Sequence, residues 1–214
     1  MRKETTSEAV LRKLRRMIMT MELAPGSVVT ELGLSDMLNC SRTPVREALQ
    51  RLTSENLVVA GPRGGVIISD VSVLDLGQLL EAMEEVGATA VRLAAQRATK
   101  HDLDALRGIV GAAEQALANA DYAGLTEQDV AFHQALYMAG HNRYIADVAG
   151  PLHRLFARFA YLSYARMDPS EVHNPLSEHA AVIAAIEDKD VSESKRLLAE
   201  HFRGMRDRLR GLLV

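Results

Sequence analysis

The sequence has almost nothing that could form a covalent cross-link or cross a membrane. Cys40 is the single cysteine among 214 residues, so an internal disulfide is excluded and a reducing compartment is indicated. No apolar run reaches the roughly 20 residues that a membrane-spanning helix needs. The charged start, MRKETTSEAVLRKLRRM, lacks the apolar stretch of a signal peptide. We therefore expect a cytoplasmic protein that makes no contact with a membrane.

Aromatic side chains are also scarce. Tryptophan is absent and aromatic residues make up 4% of the chain, whereas apolar residues together make up 48%. Alanine and leucine dominate, which favours helices. This apolar content is enough for a sizeable core, so we expect one or two domains that are mainly α-helical.

Positive charge is in short supply, because the formal net charge is −3. That balance alone argues against a nucleic-acid binder. The charges are unevenly divided, however. Residues 1–70 hold ten Lys and Arg against eight Asp and Glu, and residues 71–214 hold fifteen against twenty. The difference predicts that only the first part of the chain contacts a polyanion.

The first 70 residues have the pattern of three helices followed by a hairpin. Apolar residues recur at helical spacing over 7–21 and, more briefly, over 30–39. A third helix follows Ser41, which we expect to cap it, and Pro44 is tolerated in its first turn. The runs LVVA and VIIS flank the glycine-rich GPRGG, which predicts a β-hairpin. This order of elements is that of a winged helix-turn-helix.

The third helix carries polar side chains that a buried helix does not need. Arg42, Arg46 and Gln50 recur every four residues opposite its apolar face, with Thr43 beside them. The first residues of a recognition helix reach base edges and phosphates in the major groove, where arginine can grip guanine with two hydrogen bonds. The alternative interpretation is a charged face that meets only solvent.

The segment SRTPVREALQRL, with NLVV and PRGG behind it, resembles the signature of the GntR family of bacterial transcription factors. In that family the residues at the positions of Arg42, Thr43 and Arg46 contact the operator. The glycine-rich wing tip assists, and here it carries Arg63 and Gly64. The resemblance therefore implies a DNA-binding head over residues 8–70.

One departure from the family lies in the turn before the third helix. Asn39 and Cys40 stand where the family more often has Gly-Val. We expect Cys40 to be a small turn residue. The alternative, a redox-sensing thiol, has only the neighbouring Arg42 to activate it.

From residue 72 onward the apolar spacing predicts helices only. Six are expected, over 74–98, 102–119, 121–140, 143–167, 169–188 and 190–212. Pro151 and Pro175 are expected to kink or interrupt the fourth and fifth of these. The short DVS segment predicts a boundary between a winged helix-turn-helix domain, 1–70, and an all-α helical-bundle effector domain, 71–214.

Four side chains of the second part form a candidate metal site. Asp129 and His133 are four residues apart and share a helix face, while His179 and His201 lie on two later helices. One carboxylate and three imidazoles from three packed helices suit a divalent ion such as Zn, Ni, Mn or Fe(II). Each histidine taken alone is more typical of a surface or core position.

The runs DVAFHQALYMAGHN, SEHAAVIAAI and EHF resemble the FCD effector domain of the FadR subfamily of GntR regulators. The resemblance implies that Asp129, His133, His179 and His201 hold a metal, and six helices indicate the shorter VanR-like group. The remaining histidines match no ligand position; they are His101, His141, His153 and His173.

Two departures from the subfamily concern the effector. Met83 stands where many relatives carry an arginine that engages an acid effector, and Gly87 stands where they usually have glutamate. A carboxylate clamp therefore cannot be assigned to position 83. Arg154 and Arg158 on the predicted fourth helix, with Arg166 further along, are the substitutes that the sequence offers.

Three functions stay open on this sequence. The first is a regulator without enzymatic activity, a homodimer that binds a pseudo-palindromic double-stranded DNA operator and represses transcription. A small-molecule effector, for which a carboxylate is one candidate, binds beside a divalent metal and releases the operator. Zinc is the favoured metal. The second is a metal-dependent hydrolase, for which no base is evident, because Glu178 points about 100° away from His179 on an ideal helix. The third is an interaction domain with a structural metal. The DNA-reading head favours the first.

Overall fold

The computed structural model describes residues 6–70, 73–166 and 169–212, and the chain divides into two compact units. The first unit is Met1–Ser72 and the second is Val73–Val214. Each unit has an apolar core of its own.

Three helices and a small sheet form the first unit. The helices are α1 (Thr6–Met19), α2 (Glu31–Leu38) and α3 (Arg42–Ser54), and the strands are β1 (Val28–Val29), β2 (Val58–Ala60) and β3 (Val66–Ile68). The sheet is antiparallel with the order β1-β3-β2, so Ile67 of β3 lies between Val28 and Val59. The predicted winged helix-turn-helix is confirmed. Strand β1 was not predicted, because two residues are too few to show an alternating pattern.

Local signals determine how α2 leads into α3. Thr30 caps α2 by accepting a hydrogen bond from the Gly33 N–H at 3.1 Å. Asn39 ends α2 in the left-handed region, with φ at 49°, which asparagine adopts more readily than most residues. Cys40 lies in the turn that follows, as predicted. Ser41 takes the N-cap position of α3, but the prediction that it caps the helix is only half right, because its side chain makes no capping hydrogen bond.

The core of the first unit decides which face of α3 points outward. Helix α3 packs on α1. Leu14 and Ile18 of α1 and Val45 and Leu52 of α3 are at most 1% exposed. Burying this apolar stripe leaves the opposite, polar face of α3 in solvent.

Six helices form the second unit in the described part of the chain. They are α4 (Val73–Arg97), α5 (Lys100–Ala118), α6 (Tyr122–Ala139), α7 (Arg143–Arg166), α8 (Pro169–Glu187) and α9 (Val191–Leu212). The predicted all-α bundle is confirmed, with helix ends within two residues of the prediction. Helix α5 begins earlier than predicted because Thr99 and Asp102 form a reciprocal capping box. No described helix is both long and apolar enough to cross a bilayer.

Two prolines lie inside helices without ending them. Pro151 lies within α7 and Pro175 within α8, and both helices continue through these positions. The predicted interruption is therefore wrong, whereas the predicted kink stays a prediction. A proline removes one backbone hydrogen bond, but α7 also buries large side chains such as Phe156 and Tyr164 against its neighbours, which offsets that loss.

Helices α4 and α9 approach each other closely at Gly87. A Cβ at this position would lie 2.9 Å from Phe202 Cε2, so no larger residue fits unless Phe202 moves. An ion pair between Arg206 Nη2 and Glu84 Oε1, at 2.6 Å, joins the same two helices. The packing of α9 on α4 therefore leaves little room for a side chain at position 87.

Candidate metal centre and nucleic-acid interface

The outward face of α3 presents the residues that the sequence predicts for DNA contact. Arg42, Thr43, Arg46 and Gln50 are all exposed, whereas the apolar residues of the helix are buried. Arg42, Thr43 and Arg46 also lie near the N-terminus of α3, where the backbone N–H groups that lack a partner within the helix favour an anion such as phosphate. This face can therefore contact base edges and phosphates together.

Arg46 is held in place by a carboxylate from α2. Its Nε donates to Glu31 Oε1 at 3.0 Å, and its Nη2 donates to Glu31 Oε2 at 3.0 Å. Both side chains are partly exposed, and the hydrogen bond from Arg46 lowers the pKa of Glu31. The two hydrogen bonds set the orientation of the guanidinium in the protein without DNA.

The wing tip is a short 3₁₀ turn, Pro62–Gly64, between β2 and β3. Gly64 has φ at +79°, which residues with a side chain rarely adopt. A Cβ on Gly65 would lie 3.0 Å from the Val29 carbonyl oxygen, so β1 passes close behind the tip. The side chain of Arg63, the predicted wing contact, lies outside the described residues, and its role stays a prediction.

Asp129, His133, His179 and His201 meet inside the second unit. They come from α6, α8 and α9, and one ligand atom from each lies within 4.8 Å of the others. None of the four is more than 3% exposed. His133 Nε2 lies 3.3 Å from His201 Nε2, and His179 Nε2 lies 3.7 Å from Asp129 Oδ1. We call these four residues the cluster.

A second carboxylate orients one imidazole of the cluster. Glu178 Oε2 lies 2.7 Å from Nδ1 of His201. With the proton on Nδ1, the Nε2 lone pair of His201 is directed into the cluster, as in many metal sites where a carboxylate supports a ligating histidine. Arg208 Nη1 lies 3.7 Å from the other oxygen of Glu178.

An imidazole outside the cluster and a phenol hold Asp129. His153 Nε2 lies 3.1 Å from Asp129 Oδ2, and the Tyr164 hydroxyl donates to Asp129 Oδ1 at 3.1 Å. His153 is 1% exposed, and its ring stacks on that of His133 with the centroids 3.8 Å apart. Both oxygens of the buried carboxylate are thus fixed.

Sequence reasoning missed the roles of Tyr164, His153 and Glu178. His153 was set aside because it matches no ligand position, although it lies three residues before Phe156 and four after Ala149 in the buried stripe of α7. That spacing was the available signal. Glu178 was considered only as a hydrolytic base, because its contact with His201 depends on how α8 and α9 pack, which spacing along one helix does not reveal.

The electrostatics of the site keep His133 and His179 neutral and Asp129 ionised. Burial, and then the neighbouring imidazoles, hold the pKa of His133 and of His179 well below the usual value. Burial favours a higher pKa for Asp129, but the hydrogen bond from His153 and the surrounding imidazoles lower it to about 2. Burial, and then Asp129, raise the pKa of Tyr164, which stays a neutral donor. These are the protonation states that a metal ion requires of its ligands.

The donor set fits a divalent cation. His179 Nε2 is buried, faces Asp129, and has no hydrogen-bond partner within the described ranges. A buried, unpaired imidazole nitrogen costs free energy that a metal–ligand bond would offset. Three imidazole nitrogens and one carboxylate oxygen suit Zn, Ni, Mn or Fe(II).

The two arginines predicted to bind an effector lie on α7. Arg158 is 3% exposed, and Arg154 is partly buried with its Nη1 donating to Gln134 Oε1 at 3.3 Å. Met83 is 2% exposed in α4. The role of the two arginines stays a prediction.

Two family models match the chain, one over each unit. Residues 6–68 match the bacterial regulatory proteins of the gntR family, and residues 78–204 match the FCD domain. The chain belongs to the GntR family. It is a DNA-binding transcriptional regulator with an FCD effector domain, and the hydrolase alternative finds no support in these matches.

Similar proteins cover nearly the whole chain. A helix-turn-helix regulator from an unstable DNA locus of Streptomyces ambofaciens is 30% identical over 207 residues, 95% of this chain and 84% of that protein. The transcriptional repressor RspR of Escherichia coli is 24% identical over 97% of this chain and 90% of its own length. The solved structure of E. coli McbR/YncC is 23% identical, covers 99% of this chain and 100% of its own, and has a TM-score of 0.84, so the two share a fold.

Proposed function

We propose that this regulator is a homodimeric repressor that holds a divalent metal in its second unit and responds to a small effector bound beside that metal. The observation that carries the proposal is the cluster of Asp129, His133, His179 and His201. An ionised carboxylate and three imidazoles, all at most 3% exposed, are not a solvated charged surface. Zinc is the favoured ion, with Ni, Mn and Fe as alternatives.

The residues around the cluster are arranged to hold an ion. Glu178 orients His201, while His153 and Tyr164 fix Asp129. The bound ion supplies a positive charge to which an oxygen of an effector can bind. Since the ligands come from α6, α8 and α9, the ion also joins three helices, so binding stabilises the folded unit. The proposed role is binding without catalysis, because Glu178, next to His179 in the chain, is engaged by His201.

Residues 1–70 are proposed to bind DNA and residues 71–214 to bind the effector. The proposed operator contacts are Arg42, Thr43, Arg46, Gln50, Arg63 and Gly64. A two-fold dimer sets two α3 helices into successive major grooves of a pseudo-palindromic operator. We place the protein in the cytoplasm, where its operator is accessible.

The effector changes operator affinity through linkage. It can do so only by binding the operator-competent and operator-incompetent states with different affinity. We propose that the operator-bound protein represses, which the description of the relative RspR as a repressor supports. We propose further that effector binding releases the operator. Arg154 and Arg158 are proposed as effector contacts on α7.

Metal analysis of the protein, purified without a histidine tag, tests the proposal directly. We expect about one divalent ion per chain. His179→Ala should lose the ion, lower the melting temperature and blunt the effector response, while operator binding by the first unit survives at least in part. These losses follow because one of the four ligands is removed from a site that joins three helices.

A matched variant separates the site from histidine content in general. His101 is exposed in the first turn of α5, so His101→Ala should keep the ion and the melting temperature. A wild-type protein with little metal, not restored by adding Zn, Ni or Mn, would contradict the site. Full metal content with an unchanged effector response in His179→Ala would contradict the sensing role.

A further inference from the structure

The start of α7 presents apolar side chains to solvent. Tyr144 is 71% exposed and Val148 is 53% exposed, and the two lie four residues apart on one face of the helix. Met138, in the last turn of α6, is 54% exposed. Within the described residues of the second unit, these are the large apolar side chains that are more than half exposed. We call Met138, Tyr144 and Val148 the apolar patch.

The apolar patch continues along the outer face of α7. Leu152 and Leu155 follow Val148 at intervals of four and three residues, and both are partly exposed. Other faces of α7 pack on α4, α6 and α9. Single apolar residues are common on a protein surface, whereas several on one helix face are typical of a contact with another molecule.

Two opposite charges flank the apolar patch on one side. Arg143 and Asp147 each come one residue before an apolar member of the patch, so on a helix both lie about 100° to the same side of it. Both are exposed, and neither belongs to an ion pair in the ranges that the structure describes. The Arg143 guanidinium instead stacks on the Tyr144 ring, with Cζ 4.9 Å from the ring centroid. The two charges are thus available to a partner.

Two copies of this surface fit each other when their α7 helices run antiparallel. The contacts of a two-fold interface are reciprocal, so Tyr144 meets the partner's Val148 while Val148 meets the partner's Tyr144. An antiparallel pair brings the same side of both helices together, which sets Arg143 across from the partner's Asp147 twice. A parallel pair would set each side chain opposite its own copy and would leave both charges unpaired.

We infer that the apolar patch is a two-fold interface at which a second copy of this chain binds through antiparallel α7 helices. The self-complementary charges favour a second copy over an unrelated protein, which would not need to match them. The inference rests on the proposed homodimer and locates its contact in the second unit. A stable interface buries roughly 800 Å² on each partner, more than three side chains supply, so Leu152 and Leu155 belong to it.

Sedimentation equilibrium of the full-length protein, over a range of concentrations, gives the dissociation constant of the dimer. Val148→Glu should raise this constant at least about a hundredfold, because each dimer would bury two carboxylates among apolar side chains. Tyr144→Ala should raise it about tenfold or more, since it removes a large aromatic side chain from the centre of the contact. Circular dichroism on the same samples verifies that each variant is folded.

Reversing the two charges tests the antiparallel geometry. Asp147→Arg should raise the dissociation constant about tenfold or more, because two like charges then face each other on each side of the axis. Adding Arg143→Asp to this variant should restore the constant to within about threefold of the wild-type value, because the reversed charges attract again. A variant that only damages the helix would not be rescued in this way. If Val148→Glu does not fold, this pair of variants decides the question.

A substitution on another exposed face of the second unit supplies the control. Ala180 is exposed in a shallow groove between α5 and α8, which Val110 and Ile183 also line. Ala180→Glu should therefore keep the dissociation constant of the wild type.

The results separate the inference from the proposed function. A wild type that is monomeric at micromolar concentration contradicts the proposed homodimer. A dimeric wild type that Val148→Glu leaves intact overturns only the inference, and so does a double charge reversal that binds no better than Asp147→Arg alone. A dimer that Ala180→Glu dissociates and Val148→Glu does not would place the interface at the groove and likewise overturn the inference.

Discussion

At the scale of single residues, Arg46 is a proposed operator contact of α3 whose side chain is already engaged within the protein. Glu31 occupies its Nε and Nη2, each at 3.0 Å. Arginine grips the O6 and N7 of guanine with two parallel N–H groups. A guanine contact therefore uses the Nη1 and Nη2 edge, or it displaces Glu31. On DNA that lacks the matching guanine, Arg46 therefore stays paired with Glu31, which partly neutralises its charge.

Arg46→Ala should cost about 1–3 kcal/mol of binding free energy on the preferred operator and relax the preference at one base pair of each half-site. The operator is first selected from random duplexes. Binding curves on that operator and on single-mismatch duplexes then give the preference. An equal loss on every duplex would indicate a phosphate contact, and unchanged affinity on all would remove Arg46 from the interface. Arg51→Ala, an exposed position in the last turn of α3, is the control and should leave base preference unaltered.

At the scale of helices and strands, one packed contact has a direct effect on stability. Gly87→Ala should lower the free energy of unfolding by about 1–3 kcal/mol, because its Cβ would lie 2.9 Å from Phe202 Cε2. Gly77 is exposed in the same helix, and a Cβ there would have no atom within 4 Å. Gly77→Ala should therefore raise the free energy of unfolding by about 0.5–1 kcal/mol. Urea unfolding measures both. A Gly87→Ala protein as stable as the wild type would mean that Phe202 turns aside freely.

The sequence predicts elements well where each element buries one apolar stripe. Periodicity located the helices of both units because their buried faces recur every three to four residues. It failed at β1, which pairs through its backbone over two residues only. Spacing also does not decide whether Pro151 interrupts α7, because the packing of α7 on α4 and α6 offsets a lost hydrogen bond that spacing does not weigh.

The site was predictable only in part for a related physical reason. The pairing of Asp129 with His133 follows from helical spacing, His179 and His201 on two later helices completed the candidate set, and the resemblance to the FCD domain implied the same four residues. Contacts between helices are different, because they depend on the rotation and depth of two packed surfaces. The hydrogen bond of His153 to Asp129 depends on how α7 packs against α6, and the contact of Arg208 with Glu178 depends on how α9 packs against α8.

At the scale of the whole molecule, the cluster makes the stability of the metal-free protein depend on pH. The pKa values of His133 and His179 lie well below that of an unfolded histidine, about 6.5. Below that pH the unfolded chain binds protons that the folded chain does not, so acid lowers the free energy of unfolding. We expect a loss of about 1 kcal/mol for each of the two histidines between about pH 7.5 and 5.5. Asp129, with a pKa of about 2, adds a loss only below about pH 4.

Urea unfolding with a chelator present, repeated across this pH range, measures the effect. His179→Asn should lose about half of the pH dependence, since one neutral ring is removed. The exposed His101→Ala should keep all of it. Stability that stays constant from about pH 7.5 to 5.5 would mean that the buried rings take up protons without unfolding.

The near-complete burial of the cluster has a consequence for the timing of metal exchange. With ligands at most 3% exposed, an ion held in the proposed site would leave only when α6, α8 or α9 opens locally. Its residence time would then be set by the rate of that opening and not by the concentration of free metal outside. A regulator of this kind would keep its ion through short-lived changes in metal supply, and on that timescale it would respond to its effector, which exchanges faster.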